Sequence, residues 1–224
     1  MDFVCILFEE ELMNYFMLGI VNSNLNYIKF TYYPLRIIIK NGDFVYDNNI
    51  LLGNSASYTN NHLEAFEILE KFDLKNFKII TPLSYGSKEY ADKIVELGKN
   101  KFGNRFYPLM EYKTIEEYQK ILQGCGIVFM NHSRTQATGN ILTALFLGAK
   151  VFMSEKTTMF HYLKRIKCHV FSIENELIIE NNDVFNLLTT EQMTHNRAVI
   201  TNELSLDRLS SELRDKLSPL LLAD

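Results

Sequence analysis

The chain has 224 residues, 47% of them hydrophobic and 22% charged, enough for one large folded domain or one ordinary domain with an appendage. Those proportions exclude a disordered tail, a collagen-like fibre and a small disulfide scaffold. With 23 Lys plus Arg against 27 Asp plus Glu the net charge is −4, so nucleic acid, whose phosphates call for a basic excess, is not the expected partner.

The N-terminus places Asp2 before an apolar run from Phe3 to Phe8, then Glu9, Glu10 and Glu11. A secretory signal needs a basic start and a longer apolar stretch. The longest later apolar stretch, Ile141 to Ala149, is well below the ~18 residues of a membrane span. A cytoplasmic location is expected, with peripheral contact at a membrane surface left open. Cys5, Cys125 and Cys168 are expected to be reduced thiols.

In chain order, Val4–Leu7 reads as a strand and Glu10–Leu18 as a helix, with the acidic run as its start. Extended segments follow at Tyr27–Tyr33 and Leu35–Lys40. From residue 50 short β-rich runs alternate with segments of helical period. Ile50–Leu52 is a strand stopping at Gly53-Asn54-Ser55, and His62–Phe72 a helix with Asn60 as its expected N-cap. Phe77–Ile80 is the next strand, ending at Thr81-Pro82, and Ser87–Leu97 an amphipathic helix whose exit Gly98 and Gly103 mark. Arg105–Pro108 is briefly extended. Thr114, with Glu117 three residues on, makes a capping box for the helix Ile115–Leu122. Gly126–Met130 is a wholly apolar strand, and Asn140–Leu147 an apolar helix ended by Gly148. Val151–Met153, Thr158–Ile166 and His169–Phe171 are strand, helix and strand. Residues 182–224 read as two amphipathic helices.

Strands apolar throughout, each followed by a helix, predict an α/β domain with a doubly wound parallel sheet covered on both faces. Ligands of such sheets bind beyond the carboxyl ends of the strands, where loops meet helix N-termini. Four loops qualify. Gly53–His62 offers a glycine for close approach and small polar side chains for phosphate oxygens, but neither the G-x-G-x-x-G nor the Gly-Lys-Ser/Thr ending; it is otherwise a plain strand-to-helix turn. Asn131–Asn140 is nearly all hydrogen-bonding side chains, with Arg134 as a planar fork and Gly139 baring a helix start. Its other reading is a solvated loop with Arg134 paired to a surface acid. Ser154-Glu155 could accept from sugar hydroxyls, and Tyr85 in Pro82–Ser87 could stack on a flat ring or merely turn the chain. The five histidines show no paired ligand spacing, no D-x-D occurs, and no metal or cofactor is expected.

From Ile50 to about Phe171 these residues resemble the C-terminal half of the bacterial 4-acetamido-4,6-dideoxygalactose transferases. The resemblance lies in Gly53-Asn54-Ser55 with Asn60 and His62, then Pro82 and Tyr85. It continues through Glu111, Tyr118 and Cys125 to Arg134-x-Gln136-x-x-Gly139, and Glu155 stands where the family also has a glutamate after a strand. It implies a GT-B transferase, two Rossmann-like domains facing a cleft, working without metal. The reaction implied moves the sugar from dTDP to a lipid-linked saccharide, as in enterobacterial common antigen synthesis, with a dTDP- or UDP-sugar as donor partner. Carried over, Gly53, Asn54, Ser55, Arg134, Gly139 and Asn140 would cradle the diphosphate. Tyr85, Glu111, Gln136 and Glu155 would frame the nucleoside and sugar. Residues 1–49 resemble only the last part of the N-terminal domain and the crossover, 50–181 the nucleotide-sugar domain, and 182–224 a helical tail. The alternative is a non-catalytic nucleotide-sugar-binding or oligomeric module, completed by a second copy or a partner chain.

Overall fold

A computed structural model describes residues 3–21, 25–31, 42–45, 47, 49–74, 76–177 and 182–221. Two parallel sheets organise them. The smaller pairs β1 (Phe3–Ile6) with β2 (Asn26–Lys29), joined through α1 (Glu9–Met17). The larger has six strands: β3 (Ile50–Leu52), β4 (Ile79–Pro82), β5 (Phe106–Leu109), β6 (Ile127–Met130), β7 (Lys150–Met153) and β8 (Val170–Ser172). Their crossovers carry α2 (His62–Leu69), α3 (Lys88–Phe102), α4 (Ile115–Gln123), α5 (Thr138–Phe146) and α6 (Thr158–Arg165), and α7 (Thr190–Glu203) and α8 (Leu206–Leu221) close the chain. The expected extended segment at 35–40 lies outside the described residues.

The spatial order is β5-β4-β3-β6-β7-β8, all parallel. Counted within the domain it reads 3-2-1-4-5-6, the doubly wound order with its topological switch point between β3 and β6. The apolar strands explain themselves once both faces are covered. Ile50, Leu52, Ile127, Phe129 and Phe152 point into one core with Phe66 and Leu69 of α2 and Ile94 of α3. Leu51, Val128, Met130, Val151 and Met153 point into the other, with Ile141 and Leu145 of α5 and Leu163 of α6. Each such side chain contributes ~1.5–3 kcal/mol by leaving water.

Several boundaries differ from the sequence reading for local reasons. β4 begins at Ile79 and includes Thr81 and Pro82, because these pair with Pro108 and Leu109 of β5. α3 runs through Gly98 to Phe102. A Cβ on Gly98 would sit 2.5 Å from the Phe106 ring, so this glycine allows helix and strand to touch and ends nothing. α2 stops at Leu69, after which Lys71 and Phe72 turn back onto the carbonyls of Ile68 and Leu69. Its N-cap is Asn61, not Asn60. The Thr114 capping box is present: the Glu117 N–H donates to Thr114 Oγ1 at 3.2 Å, and the Thr114 N–H to Glu117 Oε2 at 2.8 Å.

α7 is not amphipathic in the expected sense, since its inward residues are Asn196, Ile200 and Glu203. Asn196 accepts from the His169 N–H at 2.7 Å and donates to the His169 carbonyl at 3.2 Å, standing in for a strand neighbour. Glu203 pairs with Lys29 of β2 and with Arg208, and accepts from the Tyr162 hydroxyl at 3.1 Å. Those two cations keep the buried Glu203 carboxylate ionised and its pKa low despite desolvation. α8 packs on β2, so the end of the chain returns to the small sheet. Among the described residues no helix is long and apolar enough to cross a membrane.

Candidate functional site

A cavity of about 470 Å³ opens beyond the carboxyl ends of β3, β4 and β5. Its wall is made by Asn54, Pro82, Ser84, Tyr85, Leu109, Glu111, Tyr112, Lys113, Ile115, Tyr118, Gln119, Leu122, Gly139, Asn140 and Thr143. Apolar groups form most of it and a few polar groups converge on it, the usual composition of a small-molecule site.

The β3–α2 loop is held from below by one buried side chain. Asn60 Oδ1 accepts from the Asn54 N–H at 2.8 Å and from His132 Nε2 at 3.1 Å. Its amide donates to Ser55 Oγ at 3.1 Å and to the Ser57 carbonyl at 3.3 Å. Gly53 has φ 67°, and a Cβ there would lie 2.8 Å from both Asn60 Oδ1 and His62 Nε2. Only glycine fits that backbone and that contact. Burial lowers His62 to about 4, and burial with the neighbouring His62 and Arg134 lowers His132 to about 3. Both rings are therefore neutral near pH 7. His62 meets the Tyr90 hydroxyl through Nδ1 at 3.3 Å, while its buried Nε2 has no partner among the described residues.

Across the switch point, Gln136 joins the two loops, donating to Asn54 Oδ1 at 3.2 Å and accepting from the Thr59 hydroxyl at 2.6 Å. The loop enters α5 through Ala137 at φ 57°, with no side chain capping the helix among the described residues. The first N–H groups of α5 are thus left without a side-chain partner beside the cavity that Gly139 and Asn140 line, an arrangement that favours an anion. Asn140 donates to the Tyr118 hydroxyl at 3.3 Å, a phenol whose pKa burial raises. Among the described residues no cluster of His, Cys, Asp or Glu could hold a metal ion.

The sequence model of glycosyl transferase group 56, described as 4-alpha-L-fucosyltransferase, matches residues 22–201. The chain belongs to this group. Its structural relatives agree on the fold. A glycosyltransferase from Rickettsia africae superposes with a TM-score of 0.70 at 10% identity, over 100% of this chain and 64% of its own. HepE of Anabaena, solved with UDP and glucose, gives 0.69 at 12% identity over 97% and 63%. The N-terminal domain of trehalose-6-phosphate phosphatase from Candida albicans gives 0.66 at 14% identity over 97% and 58%. At such identities the likeness is one of fold, GT-B, and the group 56 chain spans between 58% and 64% of the length of these relatives.

Of the residues singled out from the group 56 sequence, Asn54, Tyr85, Glu111, Gly139 and Asn140 line this cavity. Gly53 and Ser55 stand behind it as supports of the loop, and Gln136 touches it through Asn54. Arg134 is exposed beside Met130, His132 and Met153. Among the described residues it forms no ion pair, and its guanidinium donates only to the Thr135 carbonyl, at 3.4 Å. Glu155 lies elsewhere: its carboxylate accepts from Asn175 at 2.6 Å and its N–H donates to Glu174 at 3.1 Å. The extended segment expected at Arg105–Pro108 is the strand β5, and the loop beyond its carboxyl end brings Tyr112 and Lys113 to the cavity beside the expected site residue Glu111.

Proposed function

We propose that this group 56 chain is the donor-binding part of a GT-B glycosyltransferase. The donor would be a dTDP- or UDP-sugar and the transferred group a deoxy-amino sugar such as 4-acetamido-4,6-dideoxygalactose. The acceptor would be a lipid-linked saccharide reached at the cytoplasmic membrane surface. One observation carries the donor assignment: the start of α5, which no side chain caps among the described residues, opens onto the cavity at the switch point, and Arg134 forms no ion pair among the described residues. In this reading the diphosphate lies against Gly139, Asn140 and Arg134, and the nucleoside fills the space between Tyr85, Glu111 and Tyr118. The division into 1–49, 50–181 and 182–224 belongs to the same proposal, with 50–181 as the nucleotide-sugar domain. The chain spans less than two thirds of its structural relatives, which equally suits a non-catalytic binding module completed by a second chain. Calorimetric titration with dTDP and UDP tests the shared core of both readings. Binding of either is expected; no heat from either at millimolar concentration, with a folded sample, overturns it. Release or transfer of the sugar from a labelled dTDP-sugar then separates enzyme from module.

A further inference from the structure

We infer that Tyr85 and Tyr112 form a two-sided aromatic clamp for the base of the nucleotide, an inference that rests on the nucleotide reading above. Both line the cavity, and both are among the most exposed large side chains described, at 79% and 85%. Tyrosines usually bury their rings and leave the hydroxyl wet. Here two whole rings stand in solvent over a wall of Pro82, Leu109 and Ile115. A flat heterocycle would cover that surface without needing a hydrogen bond from either phenol.

Each ring rides on a fixed backbone. The Tyr85 carbonyl accepts from the Ala56 N–H at 2.6 Å, and the Ala56 carbonyl from the Ser87 N–H at 2.9 Å. Ala56 and Gly86 make an isolated parallel bridge. Gly86 has φ 116°, and a Cβ would lie 2.5 Å from the Ala56 carbonyl oxygen, so glycine alone lets the two loops dock. Tyr85 is thereby tied to Ala56, two residues from Asn54, which lines the same cavity. Tyr112 is bounded by the bond from the Leu83 N–H to the Leu109 carbonyl, 2.8 Å, and by the Thr114 capping box. Rings presented on anchored loops lose little freedom on stacking, which is what makes a stack favourable. Stacking alone accepts any base, so choice among bases falls to the polar groups on the same wall, Ser84, Glu111 and Gln119.

The test compares Tyr112→Ala, Tyr112→Phe and Tyr85→Ala with the parent chain, titrating dTDP and inorganic pyrophosphate. Either alanine variant should weaken dTDP between about 5- and 150-fold, the span one base–ring stack commands, and Tyr112→Phe should stay within about twofold, since the ring and not the hydroxyl makes the contact. Pyrophosphate, which has no base, should bind the variants as it binds the parent. Thermal midpoints should not move, because neither ring is packed. Unchanged dTDP affinity in both alanine variants overturns the clamp while leaving nucleotide binding intact. So does an equal loss for pyrophosphate, which would mean the loop has shifted. A parent chain that binds no nucleotide removes the nucleotide reading, and the clamp falls with it.

Discussion

Acid should unfold this chain earlier than its carboxylates alone would require, because two buried imidazoles cannot take up the protons that the unfolded chain accepts. His62 and His132 are held at about 4 and about 3 in the fold, against about 6.5 when unfolded. A pKa lowered by folding leaves stability untouched above the unfolded value. Stability is then lost as pH falls from there towards the folded value. At about pH 5 each ring then costs about 1.36 kcal/mol times 1.5 pH units, or ~2 kcal/mol, and the pair ~4 kcal/mol. That is a large share of a typical net stability of ~5–15 kcal/mol. His169 is also lowered but is only partly buried, so it adds less. Glu11 is raised by burial and acts with the opposite sign, gaining relative stability on acidification. Glu174 and Glu203 are lowered and are lost only below the ordinary carboxylate range. The assay is urea unfolding at about pH 7.5 and about pH 5 on the parent and on the His62→Phe and His132→Gln variants, singly and together. The parent should lose ~4 kcal/mol between the two conditions, each single variant ~2, and the double variant nearly nothing. A double variant with the parent's pH dependence would refute the assignment of the acid sensitivity to these rings, whatever its absolute stability.

Arg134→Ala should weaken diphosphate binding by ~1.5–3 kcal/mol, the usual worth of a hydrogen bond to a charged group; an unchanged calorimetric affinity takes Arg134 out of the site. Gly53→Ala combines a positive φ with 2.8 Å contacts to Asn60 and His62, and should lower unfolding stability by at least ~2 kcal/mol. Ala137→Gly relieves a left-handed backbone at the start of α5 and should raise the unfolding free energy by up to ~1 kcal/mol once glycine's extra unfolded-state entropy is subtracted, read as a higher urea midpoint. Glu203→Ala leaves Lys29 buried beside Tyr162 with its carboxylate removed, and should cost ~3–5 kcal/mol, far more than loss of the exposed Lys113–Glu111 pair.

What could be seen in the amino acids follows from what each feature depends on. β3, β6 and β7 were legible because residues buried on both faces must all be apolar, and the loops beyond them followed from the rule for parallel sheets. The capping box at Thr114 was legible because it is local. β5 is hard to read as a full strand because it is half exposed at the sheet edge and carries Pro108, which an edge tolerates; of the loop beyond it the family resemblance reaches Glu111 but not Tyr112 or Lys113. Glu155 shows another limit, since chain position places a loop at the correct end of the sheet without saying which way a side chain faces. The inward Asn196 and Glu203 of α7 are set by partners at His169 and Lys29, distant in sequence, and no periodicity within the helix announces them. The left-handed Ala137 left no trace at all, because alanine does not signal positive φ.

The ion pair between Lys29 and Glu203 spans 174 residues of sequence, and that separation bears on how the chain is made. Among the described residues β1 and β2 form a two-stranded sheet, marginal by itself in water. Met17, Leu18 and Ile20 beside it remain exposed even in the finished fold. At ~5–20 residues per second of synthesis, Glu203 leaves the ribosome roughly 10–35 seconds after Lys29. Throughout that interval β1, α1 and β2 have none of the contacts that α7 and α8 later supply. The six-stranded sheet can assemble meanwhile from neighbours close in sequence. β1, α1 and β2 are therefore among the last elements of this chain to be secured, although they precede the six-stranded sheet in sequence.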